Sequence, residues 1–226
     1  SLGVAMLDSN DDGWPDLLVA NDTQPNKLYK NLKNGKFQDV AIEAGLAFSA
    51  DGKARAGMGV DVGDFDNSGR PGVVITNFDN EMIGLYRATG PTDYADVAVP
   101  AGVGGASRRT LGFGCGFADL NLDGSLDLIA VNGHIDDTVR NVRRDIAYAQ
   151  SPLLFVNSGK GQFRDVAGTI GGGFANPKVG RGLAYGDFDR DGDCDVLLTT
   201  NNGPAYLFRN DQVAGNRSIR FKLAGT

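Results

Sequence analysis

Histidine is almost missing from this chain. A single one, His134, stands in 226 residues, beside one Trp and two Cys. A His-rich metal site or a His-based catalytic relay therefore has little to be built from. Cys115 and Cys194 lie far apart in no metal-ligand spacing. Their default role is that of two small buried hydrophobes, with a disulfide between them left open, so they do not fix the redox compartment. No apolar run approaches the roughly 18 to 20 residues that a bilayer span needs, and Ser1 opens directly into a strand-like pattern rather than a signal-peptide pattern. Basic residues are outnumbered, 22 Lys and Arg against 28 Asp and Glu, for a formal charge of −6. Nucleic acid needs a basic face, so it is excluded as a partner.

Glycine is plentiful, with 33 residues in no short period, which indicates many tight turns. The 41% apolar content supplies an ordinary core for one large all-β domain or two small ones. Much of the Asp is concentrated in four clusters: DSNDDGWPD from Asp8, DFDNSGRPG from Asp64, DLNLDGSLD from Asp119 and DFDRDGDCD from Asp187. Their starts are 56, 55 and 68 residues apart. Each leads into a short apolar run ending near an Asn, namely Asn21, Asn77, Asn132 and Asn201, which reads as a buried strand. A second block follows (NKLYKN…GKFQDVA, IGLYRATGPTDYADVA, PLLFVNSGKGQFRDVA), and the fourth copy keeps AYLFRN before changing. The block reads as two strands and a turn. With the small, Gly-rich strand before each Asp cluster, a repeat supplies about four strands, the size of a propeller blade. The expected blades cover approximately 1–43, 57–99, 112–167 and 182–226. An insertion over 133–151 accounts for the longer third spacing. It reads as a short surface helix on one rim, where Arg140, Arg143 and Arg144 would form a basic face for a partner. Arg108 and Arg109 are further candidates for an anionic sugar or an acidic protein patch.

Oxygen donors recur at alternate positions in the clusters, as they do when a chain coils round a hard cation. The first loop offers Asp8, Asn10, Asp12, the carbonyl of Trp14, and Asp16, with Gly13 at the sharp turn. The third offers Asp119, Asn121, Asp123, the carbonyl of Ser125, and Asp127. The fourth offers Asp187, Asp189, Asp191, the carbonyl of Asp193, and Asp195. The second keeps Asp64 and Asp66, but has Ser68 for the third ligand and Gly72 where the closing Asp belongs. Such donors suit Ca²⁺ rather than zinc or copper. An EF-hand would need Glu at the twelfth loop position, which here holds Val19, Ile75, Ala130 or Leu198. Close carboxylates repel one another unless a cation intervenes. Three calcium sites are expected, with a weaker fourth in the loop from Asp64.

The pattern D-x-[DN]-x-D-G-x-x-D before a short apolar strand resembles the FG-GAP and VCBS repeats of integrin α-chain propellers. More closely, DGWPDLLVANDTQPNKLYKN, ARAGMGVDVGDFDN, NGH and NRSIRFKLAGT resemble the bacterial relatives of cartilage acidic protein, in which an ASPIC/UnbV segment follows the propeller. The resemblance implies an extracytoplasmic setting, secreted or periplasmic, and a seven-bladed or similar ring of which these four repeats are a part. It carries no single established activity. A non-catalytic scaffold whose rim loops meet protein or glycan is the leading expectation. The alternatives are a lyase-like enzyme acting on polysaccharide and a subunit of a larger extracytoplasmic complex. His134, in NGHIDD beside two carboxylates, is expected to be structural.

Overall fold

The computed structural model describes residues 1–211, 215–219 and 221. The fold is a four-blade, all-β propeller with one short helix, α1 (Gly104–Ser107), and one 3-10 turn at Val139–Asn141. The first blade is the antiparallel sheet β1 (Gly3–Leu7), β2 (Asp16–Ala20), β3 (Lys27–Asn31) and β4 (Phe37–Asp39), in sequence order. The second is β5 (Val60–Gly63), β6 (Gly72–Ile75), β7 (Gly84–Ala88) and β8 (Tyr94–Asp96). The third is β9 (Gly112–Ala118), β10 (Asp127–Asn132), β11 (Leu153–Asn157) and β12 (Phe163–Asp165). The fourth has three described strands, β13 (Gly180–Gly186), β14 (Asp195–Thr200) and β15 (Tyr206–Phe208). Part of the stretch 209–226, in which its last strand was expected, lies outside the described residues. Each Asp cluster joins the first and second strands of its blade.

The innermost strands lie side by side in the order β1, β5, β9, β13. Glycine makes that approach possible. A Cβ at Gly3 would lie 2.5 Å from the Met58 carbonyl oxygen, one at Gly59 would meet that of Phe113, and one at Gly114 would lie 2.6 Å from the Leu183 amide. Three apolar clusters fill the gaps between blades. Leu18, Leu28, Leu46, Val73, Ile75 and Tyr86 join the first and second, and Phe65, Val74, Leu85, Phe117, Leu128 and Phe155 join the second and third. Ile129, Leu154, Phe174 and Val196 join the third and fourth. Among the described residues no such cluster joins the fourth blade to the first. The four blades form an arc.

The insertion does not form the expected helix. Its one turn, Val139–Asn141, is followed by a return that buries Val139 and Ile146. Arg143 donates to Asp79 of the β6–β7 loop at 2.9 Å, which fastens the insertion to the second blade. Arg143 is thus committed within the fold, while Arg140 and Arg144 remain exposed.

Candidate metal-binding loops

The first three loops share one backbone device. The first Asp of each turns its carboxylate back over the loop: Asp8 Oδ1 and Oδ2 accept from the amides of Asp12 (3.0 Å) and Gly13 (2.7 Å). Asp64 accepts from Ser68 and Gly69, both at 2.8 Å, and Asp119 from Asp123 (3.0 Å) and Gly124 (2.8 Å). The coil needs left-handed residues, supplied by Asp11 and Gly13, Asn67 and Gly69, Leu122 and Gly124, Arg190 and Gly192. Burial works against ionisation of Asp8, but the amides of Asp12, Gly13, Asn10 and Asp11 hold it below its ordinary value.

The fourth loop gathers its ligands most closely. Carboxylate oxygens of Asp187, Asp189 and Asp191 lie within 4.8 Å of one another. Desolvation raises the Asp189 carboxyl, and Asp191 and Asp195 add repulsion. Side-chain and backbone bonding to Asp193 holds Asp191 low. In the first loop, the buried Oδ1 of Asn10 has no hydrogen-bond partner. An orphaned oxygen and converging carboxylates are what a bound cation would satisfy, so the residues fit calcium. The Trp14 side chain is exposed, and its amide donates to Asp12 at 3.0 Å.

The second loop differs in ways that extend the ligand count. Arg87 pairs with Asp66 at 2.9 Å, so a guanidinium already neutralises one of its two carboxylates. Gly72 is Gly because Phe65 fills the space: a Cβ there would run into the Phe65 ring. Arg70 points away from the loop, donating to the carbonyls of Gly90, Pro91 (2.7 Å) and, across the blade gap, Ser9 (3.4 Å).

The closing Asp has a backbone role that ligand counting does not reveal. Asp16, Asp127 and Asp195 each accept, on one oxygen, from the residue after the loop's first Asp: Ser9 at 3.1 Å, Leu120 at 3.1 Å and Phe188 at 2.9 Å. The other oxygen accepts from the last residue of the third strand, Asn31 at 2.7 Å and Asn157 at 2.9 Å, or from the second residue beyond it, Asn210 at 2.8 Å. Burial pushes Asp127 up to about 6 against the pull of the Asn157 and Leu120 amides, with Asp123 and Asp119 adding repulsion. Those asparagines then tie blades together. Asn157 Nδ2 donates to the Phe65 carbonyl and Asn210 Nδ2 to that of Leu120, both at 2.7 Å. The second blade has Gly72 and Ala88 instead, and there Arg70 makes the bond to Ser9. The signal was in the repeats: LYKN, LFVN and LFRN accompany a closing Asp, and LYRA accompanies Gly.

His134 is buried, accepts the Asp136 amide on Nδ1 at 3.0 Å, stacks edge-on with Phe78 and sets Nε2 3.7 Å from Asp79. Cys115 and Cys194 are free thiols. Burial pushes that of Cys115 up to about 12.

Fold and loops together define a β-propeller, and the FG-GAP-like repeat family matches residues 8–75. Along its whole length the chain is 27% identical to cartilage acidic protein 1 of Xenopus tropicalis, of which it spans 34%. It is 29% identical over 83% of its length to the Mus musculus protein, of which it spans 25%. Among solved structures, an Agrocybe aegerita lectin that recognises non-reducing terminal N-acetylglucosamine superposes with a TM-score of 0.52 at 16% identity, over 94% of this chain and 50% of the lectin. That likeness is one of fold. No helix among the described residues is long and apolar enough to cross a membrane.

Proposed function

We propose that the chain is a calcium-stabilised, non-catalytic propeller scaffold that works in a secreted or periplasmic setting and offers its rim loops, including 133–151, to a protein or glycan. A place within a larger assembly is compatible with that role. The observation that carries the reading is the convergence of Asp187, Asp189 and Asp191 within 4.8 Å on a turn whose geometry recurs in all four loops. Asp8, Asn10 and Asp12 would hold calcium in the first loop, with the Trp14 carbonyl and Asp16 completing the set. Asp119, Asn121, Asp123, the Ser125 carbonyl and Asp127 would serve in the third, and Asp187, Asp189, Asp191, the Asp193 carbonyl and Asp195 in the fourth. The ion would neutralise the clustered carboxylates and lock the turn between the first two strands. The second loop would be the weakest site, because Arg87 already occupies Asp66.

Sites of this kind in extracellular modules bind at roughly 10⁻⁴ to 10⁻³ M. Each then adds about 1.4 kcal/mol to stability when free calcium exceeds Kd tenfold. Thermal melting with calcium and with a chelator tests the reading. The midpoint should rise in calcium, and coincident curves would remove structural metal from the proposal. Direct titration should return three sites of this class, with the Asp64 loop weaker or silent.

A further inference from the structure

The second blade carries a cavity of about 630 Å³ at the end opposite its Asp loop. It is walled by the connection from the first blade (49–55), the β6–β7 loop (80–82), the end of β8 with the turn after it (96–100), and Arg108. Strands of a blade alternate in direction, so these segments share one rim with the 133–151 insertion while the Asp loops occupy the other. The second blade has a neighbour on each side, so the cavity does not depend on the ends of the arc. Its walls are bonded to one another. The Asn80 amide donates to the Arg108 carbonyl at 2.7 Å, and the Ala56 amide donates to Glu81 Oε2 at 2.8 Å. Met82 holds a left-handed backbone at φ 64, a costly conformation for a long side chain and one that collects at binding sites.

The charges that line the cavity divide into engaged and open groups. Asp51 is engaged by Ser49 Oγ and by Lys53 at 3.3 Å, and Asp96 by the Ala98 amide at 3.0 Å and Arg55 Nη1 at 3.1 Å. Glu81 has one oxygen on the Ala56 amide. Two of the three cations keep donors to spare. Arg108 is exposed and pairs with no carboxylate among the described residues. Arg55 is nine-tenths buried, and the contact of its Nη1 with Asp96 is not an aligned hydrogen bond.

Lys178 shows how a purely structural cation at this place is satisfied. Like Arg55, it stands nine residues ahead of the first Asp of its loop. Its Nζ donates to the carbonyls of Gly173 (2.9 Å), Phe174 (3.0 Å) and Asn176 (2.7 Å), over the rings of Tyr206 and Phe208. In the second blade the strand position of Tyr206 is held by Gly84. A Cβ there would lie 3.3 Å from Arg55 Nη1, so the guanidinium takes the space of the ring and lines the cavity instead.

We propose that this cavity binds a uronic acid residue of an acidic glycan, with its carboxylate on Arg55 and Arg108 and its hydroxyls donating to Glu81 and Asp51. Spare guanidinium donors call for a carboxylate, which arginine meets with a two-pronged contact. The remaining lone pairs of Glu81 and Asp51 call for hydroxyl donors on the same ligand, which the Asp or Glu side chain of a peptide does not bring. Ala98, Val99 and Pro100 give the C–H face of the ring an apolar wall. The volume falls within the roughly 300–1,000 Å³ of small-molecule sites. The site rests on the reading of this rim as a glycan-binding surface and is independent of calcium.

Isothermal titration calorimetry on the 226-residue chain tests it. The probes are tetrasaccharides of glucuronate, galacturonate and mannuronate, their neutral glucose, galactose and mannose counterparts, and tetraglutamate. At least one uronate should bind, with its neutral counterpart ~10-fold weaker or more, the scale of a lost charged hydrogen bond. Arg108→Ala removes an exposed side chain, and Arg55→Lys keeps the charge against Asp96 while losing the fork. Each should weaken that uronate by ~10-fold or more and keep the wild-type circular dichroism spectrum. Arg144→Ala, on the same rim outside the cavity, should leave binding unchanged. A folded wild-type chain that binds none of the uronates would overturn the proposal, whatever calcium does to its melting. So would tetraglutamate binding as tightly as the best uronate. Uronate binding that both arginine variants retain would remove this site while leaving the broader glycan reading standing.

Discussion

A single carboxylate can report whether the third loop is built as described. Asp127 is buried with two other acidic side chains nearby, and its carboxyl titrates near 6 rather than in the ordinary carboxylate range. Its folded pKa is raised, so without metal its contribution to stability is fully present below the unfolded value and is lost as pH rises through about 6. The contribution is on the order of 3 kcal/mol. Chelated protein should therefore show a loss of stability between about pH 4 and 6 that Asp127→Asn does not share. Calcium reverses the sense, because it needs the ionised form. Its affinity for the third loop should climb over the same interval, with proton release on binding below pH 6 detectable in weakly buffered solution. A flat profile in both experiments would show Asp127 to be an ordinary carboxylate. At the second loop, Gly72→Ala should cost about 1–3 kcal/mol in a denaturant melt, since its Cβ runs into the Phe65 ring within the apolar cluster between the second and third blades.

At the scale of elements, the blade plan was legible because its period is long and its punctuation strong. Gly-rich strand, Asp loop and apolar strand recur with register good enough to assign β1, β2, β5, β6, β9, β10, β13 and β14 from pattern alone. The outer strands were legible from FQD, YAD and FRD. What pattern did not reveal was which polar residues join one blade to the next. A side chain's spacing identifies its face, not the carbonyl it will meet 90 residues away. Asn157 and Asn210 read as strand ends, yet each spans a blade gap. Arg70, in the loop that lacks the closing Asp, replaces the missing Asn tie of the second blade. The insertion misled for a related reason: VRNVRRD has helical spacing, but Arg143 gains a buried partner in Asp79, and that contact outweighs the propensity of one short turn. Asn157→Ala gives this a number. It strands the Phe65 and Leu126 carbonyls in an apolar gap, so a loss of about 1–3 kcal/mol is expected in a denaturant melt. The same change at Asn31, whose Nδ2 is at the exposed end of the arc, should cost the isolated chain less. Equal losses would mean that the tie does not carry stability across the gap.

For the whole molecule, three apolar gaps hold four blades, so the blades cannot be equally stable. The second and third are covered on both faces and have four strands each. The first is covered on one face. The fourth is covered on one face and has three described strands, with β15 at its edge. Local opening follows buried contact and backbone pairing, and the least covered unit opens first. Native-state hydrogen exchange on dilute chain should therefore rank amide protection as β6 and β10 highest, β2 next and β14 lowest. Calcium should narrow the spread by tightening the loop that feeds β14, where the three carboxylates converge. Uniform protection across the blades of dilute chain would contradict the unequal coverage on which the ranking rests.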